Sequence, residues 1–99
     1  MGLYAATKAA LASLTEVMAQ EWSSLNIRVN ALAPGSYRSE MTNSAIESIE
    51  GYEQSLIDAA LIPRIADSKE ILNPIFYLAT EAYTTGITLV ADGGVLAKR

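Results

Sequence analysis

Ile27-Arg28-Val29-Asn30-Ala31-Leu32-Ala33-Pro34-Gly35 is a short apolar run with β-branched residues at its start and a Pro-Gly pair at its end, the pattern of a buried strand closed by a sharp turn. Strand side chains alternate between faces, and Leu32 is apolar opposite the apolar Val29 and Ala31. A strand covered on both sides belongs to a parallel sheet with helices on each face. Arg28 and Asn30 must then sit near the strand's beginning or find polar partners. Ile87 to Ala91 reads as a second strand, followed by an Asp92-Gly93-Gly94 turn and a basic tail. Helical patterns fill the space between the two runs, so the connection is a right-handed crossover and the strands are parallel. The fold class is α/β, part of a doubly wound parallel sheet with two parallel strands and three to four helices.

Before this strand, apolar residues recur from Leu3 to about Leu25 at Leu11, Leu14, Met18, Trp22 and Leu25, three or four apart, which predicts one long helix. Alanines at 5, 6, 9, 10 and 12 would let another backbone approach its first half. Met18 and Trp22 are expected in the core, and Asn26 is the expected stop. Between Thr42 and Ile62 the spacing predicts two short helices, interrupted at Gly51 and ended before Pro63. Ser44 and Glu47 have the spacing of a capping box, and the Glu47, Glu50, Glu53 and Asp58 carboxylates form a solvated face. Tyr52 in this segment reads as packing. Asp67 and Glu70 mark another helix start, with Ile71, Ile75 and Leu78 as its apolar stripe. Pro74 removes one hydrogen bond there and should bend the helix near Glu70 and Ile71.

The 99 residues bound one domain at most, a size that buries a modest share of its surface. With 51% of residues hydrophobic and 18% charged, the chain is apolar for a small independent unit. It contains neither cysteine nor histidine, which excludes disulfides and thiolate or imidazole metal sites. A net charge of −4 and a pI near 4.6 argue against nucleic acid or an anionic membrane as partner. No apolar stretch approaches the ~20 residues that span a bilayer. A cytoplasmic location is the expectation.

The chemistry centres on Tyr4-Ala5-Ala6-Thr7-Lys8. Residues four apart on a helix share a face. An ammonium close to a phenol favours the phenolate and draws a group that titrates near ~10 toward working pH, which makes a general acid and base. Reaching ~7 would take roughly 4 kcal/mol, more than one partly solvated lysine is expected to supply, and a second positive charge would help. A Tyr-Lys pair at this spacing is more often a lysine stem lying along a ring. Pro34-Gly35 ends a strand at the place where open α/β sheets bind ligands, and glycine allows a close backbone approach; a turn without a ligand has the same signature.

Taken in order, these segments resemble the C-terminal half of the short-chain dehydrogenase/reductase family, from Leu3 to Gly94. Tyr4-Ala5-Ala6-Thr7-Lys8-Ala9-Ala10-Leu11 is similar to the family's Tyr-x-x-x-Lys helix, and Ile27 to Gly35 to the strand and turn that follow it. Ser39-Glu40-Met41 stands where the family usually has Thr-x-Met. Leu78 to Ala82 and Gly86 to Gly94 resemble the last helix and strand, although the Tyr83-Thr84-Thr85-Gly86 connection is shorter than usual. The resemblance implies a Rossmann-like sheet of which residues 1–99 are the C-terminal fragment. It implies NAD or NADP as cofactor, with Tyr4 and Lys8 catalytic and Tyr4, Lys8, Pro34, Gly35, Tyr37 and Ser39 cofactor-binding, and no metal. Tyr37 replaces a usually aliphatic residue whose backbone meets the carboxamide, and Ser39 keeps the threonine's hydroxyl.

The substrate class so implied is a small carbonyl compound or secondary alcohol. A homo-oligomer through the Tyr4–Leu25 helix and the C-terminal strand is the implied assembly. The family's Gly-rich turn, ribose selector, Asn and Ser lie upstream of the tyrosine, so Met1 is expected to be internal to a longer enzyme. The upstream reading frame tests this. Alternative readings are a non-catalytic oligomerisation subunit that retains the interface helices, or an unrelated acidic helical module. The last leaves the Pro-Gly and Asp-Gly-Gly turns unexplained.

Overall fold

The computed structural model describes residues 2–98. Helix α1 (Gly2–Trp22) continues into a 3-10 turn (Ser23–Leu25), and Asn26 ends it in the left-handed region at φ 62°, as its short polar side chain permits. Its N–H closes on Ser23 O at 3.0 Å. Strand β1 (Ala31–Pro34) follows, then α2 (Glu40–Ser48), α3 (Tyr52–Ala59), a 3-10 turn (Ser68–Ile71), α4 (Leu72–Thr80) and β2 (Thr88–Ala91). The strands pair in parallel, in a register running from Ala31 opposite Thr88 to Pro34 opposite Ala91.

Several expectations need correction. The strand starts at Ala31, later than Ile27, because the preceding residues bond through side chains. The Asn30 amide donates to Thr84 O at 3.0 Å and its Oδ1 accepts from Ile87 N–H at 3.2 Å, while Val29 N–H reaches Thr85 Oγ1 at 3.1 Å. The Arg28 guanidinium donates to Leu78 O (2.9 Å), Ala79 O (2.9 Å) and Thr84 O (3.2 Å). It thereby places a cation on the last carbonyls of α4, where the helix dipole favours it.

The cap of α2 is Ser39, in extended backbone, and not Ser44; its Oγ accepts from Thr42 N–H at 3.1 Å. Gly51 divides α2 from α3 with φ 79°, as expected. Pro74 does not bend one continuous helix. The chain forms a 3-10 turn up to Ile71 and starts α4 at Leu72, so Pro74 falls in the first turn, where its missing donor costs little.

Among the described residues the buried ones are few: Thr15, Ala19, Ala60 and Ile65. The face that α1 turns inward is its small one, Thr15 and Ala19. The Thr15 hydroxyl is satisfied by Leu11 O at 2.8 Å. Met18 is half-buried but Trp22 is exposed, so the core expected around Trp22 is not formed within the chain. The radius of gyration is 15.6 Å, against about 13 Å for a compact domain of this length. No described helix is long and apolar enough to cross a membrane.

Candidate functional site

The parallel pair sends both chains out at the same end, and the loops leaving it are tied together there. Gly35 N–H donates to Ala91 O at 3.1 Å, extending the ladder one step past Pro34. A Cβ on Gly35 would lie 2.6 Å from Asp92 Cα and 2.9 Å from Asp92 O. Glycine is therefore required by the backbone of the neighbouring strand end, a reason distinct from the approach of a ring. Asp92 in turn organises its own loop. One carboxylate oxygen accepts from Gly94 N–H at 2.8 Å and the other from Leu96 N–H at 3.0 Å. This is the turn chemistry of an aspartate bonding residues just ahead of it.

A cleft of about 550 Å³ opens beside these loops. Lys8 lines it from α1, with Leu11 and Ala12, and Pro34, Gly35 and Ser36 line it from the end of β1. Thus the lysine and the Pro-Gly turn, expected to share a site, border the same space. The helix backbone places position 4 one turn, about 6 Å of axial rise, before Lys8. The Tyr4 side chain lies outside the described residues.

Tyr37 and Ser39 sit elsewhere. Ser39 is the cap of α2, its hydroxyl bonded to Thr42 N–H and Thr42 Oγ1. Tyr37 is half-buried, donates its phenolic hydrogen to Ala91 O at 3.0 Å, and lines a neighbouring cavity of about 380 Å³ with Ile62, Arg64, Glu70 and Asn73. Ser36, Leu56, Val90, Asp92 and Val95 border both spaces, so the cavities abut. The sequence reading missed the second cavity and the double role of Asp92. The Asp-Gly-Gly signal was legible as a turn, whereas its contact with Gly35 spans 57 positions and leaves no local trace.

The wall of the second cavity carries a forked ion pair. Arg64 Nη1 and Nη2 meet Glu70 Oε2 and Oε1, each at 2.7 Å, and Glu70 Oε2 also accepts from Asp67 N–H at 2.6 Å. The Arg64 hydrogen bonds, followed by the Asp67 N–H, hold the Glu70 carboxyl at about 2, well below its ordinary range. Arg64 is raised further by the same partner. The Asp67 to Glu70 link is the reach-back expected of a helix start. Among the described residues no group of three carboxylates, thiols or imidazoles could hold a metal ion.

A parallel strand pair flanked by helices, with its cleft at the carboxyl ends of the strands, defines a piece of a doubly wound nucleotide-type α/β protein. The chain belongs to the short-chain dehydrogenase/reductase family: the family model described as Enoyl-(Acyl carrier protein) reductase matches residues 1–96. It is 37% identical over 95 residues to the D-arabinitol 2-dehydrogenase [ribulose-forming] of Scheffersomyces stipitis, covering 93% of this chain and 34% of that protein. It is 40% identical over 93 residues to the galactitol 2-dehydrogenase (L-tagatose-forming) of Cereibacter sphaeroides, covering 92% and 36%. Among solved structures, ElxO with NADP bound superposes with a TM-score of 0.84 at 33% identity, over 97% of this chain and 40% of that one. A 4-hydroxyisoleucine dehydrogenase complexed with NADH gives 0.83 at 34% identity, with the same coverage. The α/β, Rossmann-like architecture is thereby established. The chain spans little more than a third of the length of these relatives.

Proposed function

We propose that the protein carrying this chain is an NAD(P)-dependent oxidoreductase that moves a hydride reversibly between the cofactor and a small secondary alcohol or its ketone. The observation that carries this reading is the meeting of Lys8 with the Pro34-Gly35 turn around one cleft, with position 4 one helical turn away. The lining suits a nicotinamide: an ammonium stands on one side, and Leu11, Leu32 and Pro34 give apolar surface next to the polar Ser36, Thr88 and Asp92. That ring, when bound, would supply the hydride acceptor or donor and, when oxidised, a positive charge.

The residues of this chain do the proton work. Tyr4 passes the proton to or from the substrate oxygen, and Lys8 favours the phenolate and holds the ribose hydroxyls. Pro34, Gly35 and Ser36 shape the wall for the ring, with Tyr37 next in the chain behind it. The Ser39 hydroxyl, engaged as a cap, contributes through the placement of α2 and Met41. Residues 1–99 hold neither the Ser nor the Asn that the family resemblance assigns upstream of the tyrosine, so in this reading they are inactive by themselves. A homo-oligomer through the Tyr4–Leu25 helix and the C-terminal strand fits the exposure of Leu3, Leu14 and Val17 on α1. A cytoplasmic site fits the same reading.

The same exposed helix favours a second reading, a non-catalytic oligomerisation subunit. One assay separates them. The full-length protein is incubated with NAD and NADP and a panel of polyols, and with the reduced cofactors and the corresponding ketoses. A nucleotide-dependent change in the reduced ring's absorbance supports the oxidoreductase, and its absence across the panel together with no nucleotide binding overturns it.

A further inference from the structure

From the bonds around the cleft we infer that Tyr37 is a positioning residue for the nucleotide, acting through its hydroxyl on the Pro34–Ser36 turn, a role that rests on the cofactor reading above. The turn has to keep its shape in the absence of ligand if it is to serve as a preformed wall. Its own sequence does not guarantee that, since Pro34 is the last residue of the ladder and Gly35 is the residue with the most conformational freedom to lose.

Two sets of bonds fix it. Ala66 N–H donates to Ser36 O at 3.0 Å and Arg38 N–H donates to Ala66 O at 2.9 Å, a parallel bridge that secures the strand's continuation from one side. From the other side, Ala91 O accepts both Gly35 N–H, at 3.1 Å, and the Tyr37 hydroxyl, at 3.0 Å. A carbonyl oxygen has two lone pairs, and here both are used. The Tyr37 side chain therefore closes a loop: it leaves the chain two residues beyond Gly35 and returns to the same acceptor that holds Gly35. Opening the turn costs two bonds at once. The hydroxyl is aimed at Ala91 and the ring lines the second cavity, so the side chain acts on the cleft through the turn and does not line it.

Tyr37→Phe removes the hydroxyl and keeps the ring, and Tyr37→Leu removes both. In the full-length protein, Tyr37→Phe should raise the nucleotide KM about three- to tenfold, the worth of one hydrogen bond, with kcat falling by less than that factor. Amide exchange should quicken at Gly35 by a similar factor and stay unchanged at Ala31, whose N–H bonds to Ile87 O at the far end of β1. Tyr37→Leu should show both effects at least as strongly. Unchanged Gly35 exchange in Tyr37→Phe overturns the role, as does faster exchange with an unaltered KM, because the bond would then be purely structural. A wild-type protein that neither binds nor uses either nucleotide overturns the cofactor reading itself, and the role with it.

Discussion

Helix α1 and the loops at the carboxyl ends of the two strands are built on opposite principles. The helix meets the rest of the chain through its small residues, Thr15 and Ala19, while Leu3 is 83% exposed, Leu11 51% and Leu14 52%. The loops meet each other through backbone. Gly35 presses on Asp92, Asp92 gathers Gly94 and Leu96, Gly93 O accepts from Ile62 N–H at 2.9 Å, and Lys98 Nζ donates to Asp58 O. One wall of the cleft is thus completed within the chain, and the helix that bears Tyr4 and Lys8 carries a large apolar face that the chain leaves uncovered. The pair proposed for acid/base work is mounted on the less anchored side, and its placement depends on whatever covers that face.

The largest effect should come from breaking the anchored side. In Gly35→Ala the new methyl meets backbone atoms of Asp92 within 3 Å, atoms that move only with the strand end. A loss of about 3 kcal/mol is expected, the upper range for overpacking. Urea unfolding of the full-length protein measures it, and a loss below about 0.5 kcal/mol would mean that the two loops are not rigidly coupled.

A gentler probe of the same side is acid. Because the folded carboxyl of Glu70 titrates at about 2 against an ordinary 4.5, its contribution to stability is complete above about pH 4.5 and is lost as pH falls toward 2. The pair is solvent-exposed, so the effect is modest and shrinks in salt. Replacing the acid in Glu70→Gln should flatten the acid limb of a stability-against-pH curve between those values. An unchanged limb would assign the acid sensitivity to other groups.

The smallest effect on the fold should come from the helix. Leu14→Ala removes exposed apolar surface and should change unfolding free energy by no more than about 0.5 kcal/mol if the chain is monomeric. If the face is covered by a second copy, the same change weakens self-association, which sedimentation at several concentrations reads. A variant that loses several kcal/mol without any change in association would show that the helix is packed within its own chain, and the contrast between the two regions would vanish.

Much of this was legible in the residues because it depends on local chemistry. The three-and-four spacing marked α1, Asn26 and Gly51 marked helix ends, and Pro34-Gly35 marked the strand end. What stayed hidden is non-local. Arg28 finds its acceptors 50 positions or more away, at the end of α4 and in the loop before β2, and no periodicity announces that. Asn30 takes up ladder bonds with its side chain, so the strand begins later than its hydrophobic pattern. Ser44 has the better capping-box spacing, yet Ser39 is the residue in extended backbone with its oxygen aimed at Thr42, and Ser44 lies inside the helix. At the site, Lys8 and the Pro34-Gly35 turn carry local signals, whereas the Tyr37 hydroxyl finds Ala91 O across the sheet, and the Asp92 carboxylate, bonded within its own loop to Gly94 and Leu96, was legible only as part of a turn.

On the proposed reading, Tyr4 exchanges the substrate's proton beside Lys8. Turnover of Tyr4→Phe in the full-length protein, measured with the better of the two nucleotides, tests it most directly. A fall in kcat of about 10² to 10⁴-fold is expected, the worth of a general acid and base, with nucleotide affinity retained. A variant that turns over at the wild-type rate would contradict it.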